Sequence, residues 1–190
     1  MKILPKPRTT GSISVEEAIA QRRSVRSYSS QRLTDEELSQ LLWAAQGITD
    51  QKRALRAAPS AGATYPLEIY AVTPDGVFHY DPVKHALEPV KKGDARAELA
   101  TAAYGQSFIA NAAATIVFAA VPERTTRRYG RRGMMYIHME AGHAAQNIHL
   151  QAVALRMGSV PVGAFDDEAV TRIAGLPDNQ IPLYLIPVGR

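Results

Sequence analysis

The residues best suited to chemistry in this chain lie in the segment Arg22–Tyr28, which combines three arginines with hydroxyl side chains. A guanidinium group is permanently charged and can hold two oxygens of one anion at once. Arginines and hydroxyls at this spacing therefore predict a phosphate-binding site. The same residues also suit a solvated basic helix end, and the segment alone does not decide between the two interpretations.

The element that must position this segment is the helix before it. Ser14 and Glu17 have the spacing of a capping box, in which each side chain hydrogen-bonds to the backbone of the other residue, so the helix is predicted to begin near Val15. Apolar residues follow at helical spacing and place the arginines at the carboxyl end of the helix. Because the helix dipole repels anions there, the side chains would have to do the binding.

Length and composition set the outer limits. The chain has 190 residues, 46% of them hydrophobic, and a formal net charge of +4, which predicts a single globular domain over residues 1–190. The absence of cysteine excludes disulfides, thiol catalysis and thiolate metal sites. No apolar run approaches the roughly 20 residues that cross a bilayer, and the amino terminus lacks the apolar core of a signal peptide. We therefore expect no membrane partner and a cytoplasmic protein.

Capping and periodicity predict the other elements. Thr34 and Glu37 form a second capping-box pattern before an amphipathic helix that Gly47 closes, and Asp94 is predicted to cap a helix running to about Gln106. Strands are predicted at 67–72, 77–80, 113–121 and 183–186, the first two as a hairpin, and a loop at 50–58.

Residues 133–157 show helical periodicity over their whole length. Small residues are frequent there, and we interpret Ala141, Gly142, Ala144 and Ala145 as a surface that lets another helix approach closely. A long helix of this kind is typical of a core or of a contact between subunits.

Several standard sites are excluded because their motifs are missing. The dinucleotide fingerprint Gly-x-Gly-x-x-Gly and the phosphate loop of NTPases are both absent. Glu140 and His143 have the spacing of a carboxylate-bridged metal pair, but such a site needs a second copy, so no metal is predicted. His138 and His143 are five residues apart, whereas the zinc motif needs four. His149 is interpreted as a polar core or interface residue.

Six motifs, read in order along the chain, carry a resemblance to a known family. They are Arg22–Arg26, Pro59–Gly62, Gly76–Pro82, Glu140–Asn147, Gly163–Phe165 and Pro187–Arg190. Together they resemble the nitroreductase family, and more narrowly its SagB-type dehydrogenase branch. The resemblance implies a single nitroreductase-like domain of the α+β class, with a mixed central β-sheet flanked by helices. It also implies a homodimer with a long central helix at its interface and FMN at each end of that interface.

The resemblance further implies which residues bind the cofactor. The early basic motif would hold the FMN phosphate and ribityl chain, and the last residue would reach the same phosphate. The small-residue loop would approach the flavin from the partner subunit, while a later segment would offer backbone N–H groups to the ring edge. The implied residues are Arg22, Arg23, Ser24, Arg26, Pro59, Ser60, Ala61, Gly62, Val162, Gly163, Ala164, Gly189 and Arg190. On composition alone, ordinary tight turns are the preferred interpretation of the loop and of the later segment.

The implied activity is that of an FMN-dependent oxidoreductase. NADH or NADPH would deliver a hydride to flavin N5, and after the donor leaves, the electrons would pass to a small acceptor such as a nitroaromatic or a quinone. Such chemistry depends on placement and on electrostatic stabilisation of the reduced ring. The absence of a catalytic triad is therefore no argument against an enzyme.

Two positions depart from the SagB-type pattern. Members that oxidise azoline rings carry a Lys–Tyr pair before the long helix, where this chain has Arg128–Tyr129. Arginine cannot replace that lysine as a base, which argues against azoline oxidation, while Tyr129 can still donate a proton and is the predicted catalytic residue. The chain also stops at Arg190, so the resemblance implies a missing or very short C-terminal arm and leaves the tightness of the dimer open.

Two alternative functions stay open at this point. The first is a SagB-type FMN dehydrogenase acting on a peptide or azoline-like substrate, which the hairpin and helix motifs favour. The second is a basic nucleic-acid-binding protein that uses the arginines between Arg124 and Arg132 for phosphate contacts. That stretch lacks the interleaved stacking residues of single-strand binders, which argues against nucleic acid. A solvated basic loop is its plainer interpretation, with an anionic substrate or the NADPH phosphate as the lesser one.

Overall fold

The computed structural model describes all of residues 1–190, in which helices and strands alternate irregularly. The helices are α1 (Val15–Gln21), α2 (Asp35–Gln46), α3 (Arg96–Ala102), α4 (Phe108–Asn111), α5 (Glu123–Tyr129), α6 (Gly133–Ala154) and α7 (Asp167–Ala174). The strands are β1 (Lys2–Ile3), β2 (Ile48–Asp50), β3 (Leu55–Arg56), β4 (Leu67–Thr73), β5 (Gly76–Asp81), β6 (Ala86–Lys92), β7 (Ala114–Ala120), β8 (Gly158–Ser159) and β9 (Ile181–Gly189). Short 3-10 turns cover Ala61–Ala63 and Gly130–Arg132.

Seven strands form the central sheet in the order β1-β6-β5-β4-β7-β9-β8. The α+β class is confirmed, but every ladder of this sheet is antiparallel, so the predicted mixed sheet is refined to an antiparallel one. The neighbours β4, β5 and β6 are joined by short turns, a connection that only antiparallel strands allow. The one parallel pairing is an isolated bridge between Ser24 and Ser159.

Both faces of the sheet are buried, because helices cover each of them. Successive side chains of a strand point to opposite faces. On β7, Ile116 and Phe118 join a core with α2 and α6, while Val117 and Ala119 join a second core with α3 and α7. This alternation explains why β7 is apolar throughout and was recognisable in the sequence as a buried strand.

The two capping patterns fold differently. Thr34 accepts from the Glu37 N–H at 3.2 Å and Glu37 accepts from the Thr34 N–H at 2.9 Å, so the predicted box before α2 is confirmed. Ser14 accepts from the Glu17 N–H at 3.1 Å, but the Glu17 carboxylate takes a hydrogen bond from Gln21 instead of returning to the cap. Helix α1 nevertheless begins at Val15, as predicted.

The predicted helix from Asp94 to about Gln106 is wrong at both ends. Asp94 lies one residue before the cap position of α3, and its carboxylate accepts from the Arg96 N–H at 3.1 Å and from the Arg96 side chain at 2.7 and 2.9 Å. Ala95 occupies the cap position without a side-chain hydrogen bond. The helix ends at Ala102, and Tyr104 then adopts a left-handed φ of 56°, which no helix can continue through.

The arginine-rich stretch, predicted as a solvated loop, is helical. It forms α5 and the 3-10 turn that leads into α6. An ion pair between Arg127 and Glu123 at 2.9 Å, one turn apart, supports the helix. The prediction failed because charge alone was taken as a loop signal, although arginine is a good helix former.

The remaining predictions hold in outline. The four predicted strands are found as β4, β5, β7 and β9, and β4 pairs with β5 as a hairpin. The predicted loop at 50–58 contains the two-residue strand β3, which pairs with β2. The long helix begins at Gly133 as predicted and ends three residues early at Ala154, ahead of the left-handed Arg156.

Helix α6 has a core face and an open face. Ala141, Ala144 and Ala145 are buried in the core that α2 and the sheet share. Gly142 faces away from this core and is exposed, since nothing lies within 4 Å of the position that a Cβ would take there. The four small residues therefore do not form one surface, because neighbouring helical positions lie ~100° apart around the axis. The three alanines pack against α2 and the sheet, and Gly142 belongs to the open face.

Candidate functional site

The segment after α1 lies along the outer edge of the sheet. The Val25 N–H donates to the Ser159 carbonyl at 3.0 Å, next to the parallel bridge between Ser24 and Ser159. Gly158 makes this approach possible, because a Cβ there would lie 2.5 Å from the Cβ of Val25. The arginine segment is thus held in an extended conformation against β8.

The end of the segment is fixed in the same way. The Tyr28 hydroxyl donates to the carbonyls of Val25 and Pro187 at 2.7 and 3.2 Å. Its ring covers Gly189, where a Cβ would lie only 3.0 Å from the ring atoms. Gly189, one of the predicted cofactor residues, therefore serves here to let Tyr28 pack on β9.

The three arginines of the segment have different surroundings. Arg23 donates to the carbonyls of Ala20 and Arg22 at 3.0 and 2.7 Å and so caps the end of its own helix. Arg22 is half-buried and Arg26 is exposed, with its guanidinium carbon 5.8 Å from the centre of the Phe108 ring. Neither Arg22 nor Arg26 forms an ion pair with a carboxylate. These two cations are consequently available to an anion.

A buried histidine adjoins Arg22. The Nδ1 atom of His149 lies 2.8 Å from the Ser159 hydroxyl oxygen, and only 4% of the residue is exposed. Burial, together with the positive charge of Arg22, lowers the pKa of His149 to about 4. The imidazole is therefore neutral at pH 7, and the positive charge in this region belongs to the arginines. The interpretation of His149 as a polar core residue is confirmed.

The predicted segment Val162–Ala164 continues along the same edge of the sheet. Val162 is buried and exchanges two hydrogen bonds with Leu185, at 2.7 and 3.0 Å. Gly163 and Ala164 are exposed, and neither of their backbone N–H groups donates to an acceptor within the protein. The Ala164 carbonyl accepts from Gln106 at 3.1 Å, which anchors the end of the segment. Two free N–H groups are thus presented to solvent.

We call this strip the edge site; its residues are Arg22, Ser24, Arg26, Val162, Gly163 and Ala164. The backbone of Arg190 lies close by, since its carbonyl accepts from the Ser29 N–H. Its guanidinium, however, forms an ion pair with Glu37, with a second contact at 3.4 Å. Burial would raise the pKa of Glu37, but hydrogen bonds from Arg190 and Thr34 outweigh it and lower that pKa. The role of Arg190 at a phosphate stays a prediction.

The small-residue loop Pro59–Gly62 lies elsewhere, against the end of α5. Ser60 accepts from the Tyr65 N–H at 2.9 Å, which closes the turn. Gly62 has a φ of 60°, and a Cβ there would lie 2.5 Å from the Tyr129 hydroxyl oxygen and 2.7 Å from Nη1 of Arg128. Only glycine satisfies both the backbone conformation and this approach. The predicted catalytic residue is therefore next to the predicted loop.

A buried carboxyl group lies beneath this loop and was missed as a functional residue. Glu140 is 2% exposed, and one of its oxygens lies 3.4 Å from Nε2 of Gln46. Burial raises the pKa of Glu140 to about 7, although the nearby Ser60 hydroxyl and the charge of Arg56 lower it. A signal was present in the sequence, because a glutamate on the apolar face of a helix must find a partner.

We call this second group the loop site; its residues are Pro59, Ser60, Ala61, Gly62, Arg128, Tyr129 and Glu140. The two sites lie at different levels of α6. Glu140 belongs to the loop site and His149 supports the edge site, and their nine-residue separation corresponds to ~13 Å along the helix axis. On one chain the predicted cofactor residues therefore fall into two groups, each next to a different part of α6.

Two further findings concern metals and membranes. No group of three or more histidine, cysteine, aspartate or glutamate side chains is arranged to hold a metal ion. Glu140 is buried whereas His143 is exposed, so the pair considered as metal ligands is divided between two environments. None of the seven helices combines the length and the apolar composition that a bilayer crossing requires.

Comparisons with known proteins agree on one family. The model of the nitroreductase family matches residues 19–190. A protein of Methanocaldococcus jannaschii named "putative nitroreductase" is 48% identical over 184 residues, which cover 94% of this chain and 91% of that protein. A crystal structure from Ralstonia eutropha with the same description is 29% identical and has a TM-score of 0.90, covering 100% of this chain and 88% of the other.

A more distant structure shares the fold. The NADPH:FMN oxidoreductase of Vibrio harveyi, solved with NAD+, is 22% identical and has a TM-score of 0.69. The match covers 93% of this chain and 68% of that one. At this identity the likeness concerns the fold alone.

Proposed function

This chain belongs to the nitroreductase family, and we propose that it is an FMN-dependent oxidoreductase that takes a hydride from NADH or NADPH and reduces a small acceptor. The observation that carries the proposal is the edge site. It combines two arginines without carboxylate partners and two backbone N–H groups without acceptors on one continuous strip of the sheet edge. A ligand with an anionic end and a polar ring edge would satisfy both features.

The residues present fit FMN. Arg22 and Arg26 would hold the phosphate, with Ser24 between them on the extended segment, and the Gly163 and Ala164 N–H groups would meet acceptors on the ring edge. Because His149 is neutral at pH 7, it neither repels the Arg22 guanidinium nor adds a charge of its own, and the positive charge offered to the phosphate comes from the arginines. When bound, FMN supplies the group that accepts a hydride and releases electrons.

We further propose a homodimer in which the loop site of one protomer faces the edge site of its partner. Its support is the separation of the two sites along α6, together with the open face of that helix. Met135 and Met139 are 45% and 48% exposed on this face, close to the empty space at Gly142. Two large apolar side chains on one helix face favour contact with another protein surface.

At the loop site, Tyr129 would hold or donate a proton. Its hydroxyl adjoins the backbone of Gly62, and its ring stands edge-on to Tyr136 with 5.1 Å between the ring centres. Arg128 stays protonated and would orient the reactant instead of acting as a base. This pair would suit reduction of a nitroaromatic or quinone-like acceptor, in which a proton must follow the electrons.

A SagB-type dehydrogenase acting on a peptide is the second candidate. The observation in its favour is that Arg128 and Tyr129, at the position of its Lys–Tyr pair, lie against the backbone of Gly62 in the small-residue loop. Conversion of an azoline peptide would favour it. Nucleic-acid binding loses support, since two of the arginines between 124 and 132 are already paired, Arg124 with Glu68 and Arg127 with Glu123.

The visible absorption spectrum of the purified protein tests the proposal. We expect flavin bands that bleach under anaerobic conditions on addition of NADH or NADPH and recover when a quinone is added. Protein that carries no flavin and takes up none from added FMN would contradict the proposal. In that case, binding to nucleic acid that falls steeply with salt would favour the basic-protein alternative.

A further inference from the structure

The arginines of α5 and the turn after it fall into two classes. Arg124 binds a Glu68 oxygen at 2.6 Å and the Tyr65 carbonyl at 3.0 Å, and Arg127 binds Glu123 at 2.9 Å. Arg128, Arg131 and Arg132 form no ion pair with any carboxylate. Three uncompensated cations thus lie within five residues.

Two of these three arginines are held against aromatic rings. The Arg128 guanidinium carbon is 5.4 Å from the centre of the Tyr129 ring, and that of Arg132 is 5.8 Å from the centre of the Tyr136 ring. The two tyrosines touch edge to face. The result is a continuous wall in which a cation flanks each end of a tyrosine pair. A guanidinium held over a ring by a cation–π contact keeps N–H groups free for an oxyanion.

This wall borders the loop site. Nη1 of Arg128 lies 3.5 Å from the Gly62 carbonyl oxygen. This distance is too long for a strong hydrogen bond, so the guanidinium can still donate to a ligand. Burial raises the pKa of Glu140, beneath the loop, to about 7 and so reduces its negative charge, while Glu68 and Glu123 are paired with Arg124 and Arg127. The electrostatic surroundings of the wall are consequently positive.

We propose that Arg128 and Arg132, set against Tyr129 and Tyr136, select reactants that carry an oxyanion beside an aromatic ring. This inference rests on the proposed function, because it places the wall next to the flavin of the partner subunit. Two reactants have the required chemistry. One is an acceptor with a carboxylate on its ring, and the other is NADPH, whose 2′-phosphate adjoins adenosine.

The test uses the FMN-loaded protein and two pairs of probes that differ in the anion alone. Binding of 4-nitrobenzoate and of neutral 4-nitrobenzamide is measured by equilibrium dialysis, which needs no turnover. KM is measured for NADPH and for NADH. The variants are the double change Arg128→Gln with Arg132→Gln, the single changes Arg128→Gln and Arg128→Lys, and Arg127→Gln. The last is the matched control for Arg128→Gln, since it removes one charge from the same helix but from an arginine that is already paired.

We expect the wild type to prefer 4-nitrobenzoate over 4-nitrobenzamide, or NADPH over NADH, or both. The double variant should lose about tenfold in that preference, because two exposed charge contacts together contribute about that much. The control should keep the preference, and Arg128→Lys should lose part of it, because lysine keeps the charge without the planar stack. Loss confined to 4-nitrobenzoate identifies the acceptor as the source of the oxyanion, and loss confined to NADPH identifies the donor.

Two results would overturn the inference. One is a double variant that discriminates as the wild type does; the other is a loss in the Arg127 control equal to that of Arg128→Gln, which would indicate a diffuse surface field. Failure of the proposed function is recognised separately, since it appears as a flavin that neither donor bleaches or as the absence of flavin. Flavin content and circular dichroism of each variant show that the fold and the edge site are intact.

Discussion

The two ends of α6 bury ionisable groups of opposite kinds. Glu140, under the small-residue loop, has its pKa raised to about 7 by burial, and His149, under the arginine segment, has its pKa lowered to about 4 by burial and by Arg22. Each group has a polar partner, Gln46 for Glu140 and Ser159 for His149. Both groups are therefore mainly neutral between about pH 4 and pH 7.

The difference between the ends lies in what surrounds the neutral group. At the His149 end, two unpaired arginines and free N–H groups make the surface ready for an anion. At the Glu140 end, Arg56 donates to Gln46 at 3.0 Å and Gln46 donates to Glu140, so the polar groups are satisfied inside the protein. The first end therefore leaves its cations and N–H donors open to a ligand. At the second end the polar groups around Glu140 are paired within the protein, and the open cations lie outside the loop, on Arg128, Arg131 and Arg132.

The largest effect is expected from removing the cations of the edge site. Replacing Arg22 and Arg26 together by alanine should weaken FMN binding by at least about a hundredfold, because each charge-assisted contact to phosphate contributes roughly 1.5–3 kcal/mol. Flavin retention after gel filtration measures it. Arg23→Ala is the control, since Arg23 donates to its own helix and should matter little. A double variant that elutes folded with its full flavin content would contradict the assignment.

The next effect concerns the packing that holds the edge site. Gly158→Val should lower the free energy of unfolding by about 2–3 kcal/mol, as overpacking typically does, because its Cβ would meet Val25 at 2.5 Å. The arginine segment would have to leave β8, so flavin affinity should fall as well. Urea unfolding and flavin titration measure the two losses. Unchanged values in both would show that the segment is not fixed by this contact.

A smaller effect distinguishes the two buried groups by pH. The pKa of Glu140 is higher in the folded chain than in the unfolded one, so stability falls as pH rises from about 4.5 through 7. Glu140→Gln should abolish that fall and gain on the order of 2 kcal/mol over the wild type at pH 8. For His149 the sign is reversed, and stability falls as pH drops from about 6.5 through 4.

The His149→Gln variant is therefore the mirror control. It should flatten the acid side of the stability profile and leave the alkaline side unchanged. Thermal unfolding between pH 4 and pH 9 measures both variants. Identical profiles for wild type and Glu140→Gln would show that Glu140 is not held in a low-polarity environment.

The smallest effect is expected on the open face between the two ends. Gly142→Ala adds a methyl group in open space within a helix and should stabilise the isolated protomer by up to about 1 kcal/mol. If a second copy packs closely on this face, the same change should weaken the dimer. Unfolding at low protein concentration and sedimentation at several concentrations separate the two consequences. No change in the dimer would place the contact elsewhere on the molecule.

Local signals were sufficient for much of the fold. The start of α1, the capping box of α2, the β4–β5 hairpin and the buried strand β7 all depend on residues close together in sequence, and all were predicted. The failures are also local in origin. Asp94 was one residue from the cap that its type suggested, and the arginine stretch was interpreted from charge without regard to helix propensity.

The site was only partly predictable. The arginine segment, the small-residue loop and Val162–Ala164 were predicted as cofactor residues from motifs, and the structure shows that the first and the last of them lie along one edge of the sheet. Glu140 was weighed only as a metal ligand, although its place on an apolar helix face was visible. Gly158 and Ser159 were missed, because nothing near them in sequence indicates that the arginine segment lies against them.

The sequence by itself determined where α1, α2 and α6 start, that β7 is buried on both faces and which cations follow α1, because hydrogen bonds within a turn and side-chain periodicity are properties of neighbouring residues. Only the tertiary structure decided that Glu37 engages Arg190, 153 residues away, and that Gln46 donates to Glu140. It also decided the protonation of Glu140 and His149. The physical reason is that desolvation depends on every element packed around a group, and no local pattern contains that information.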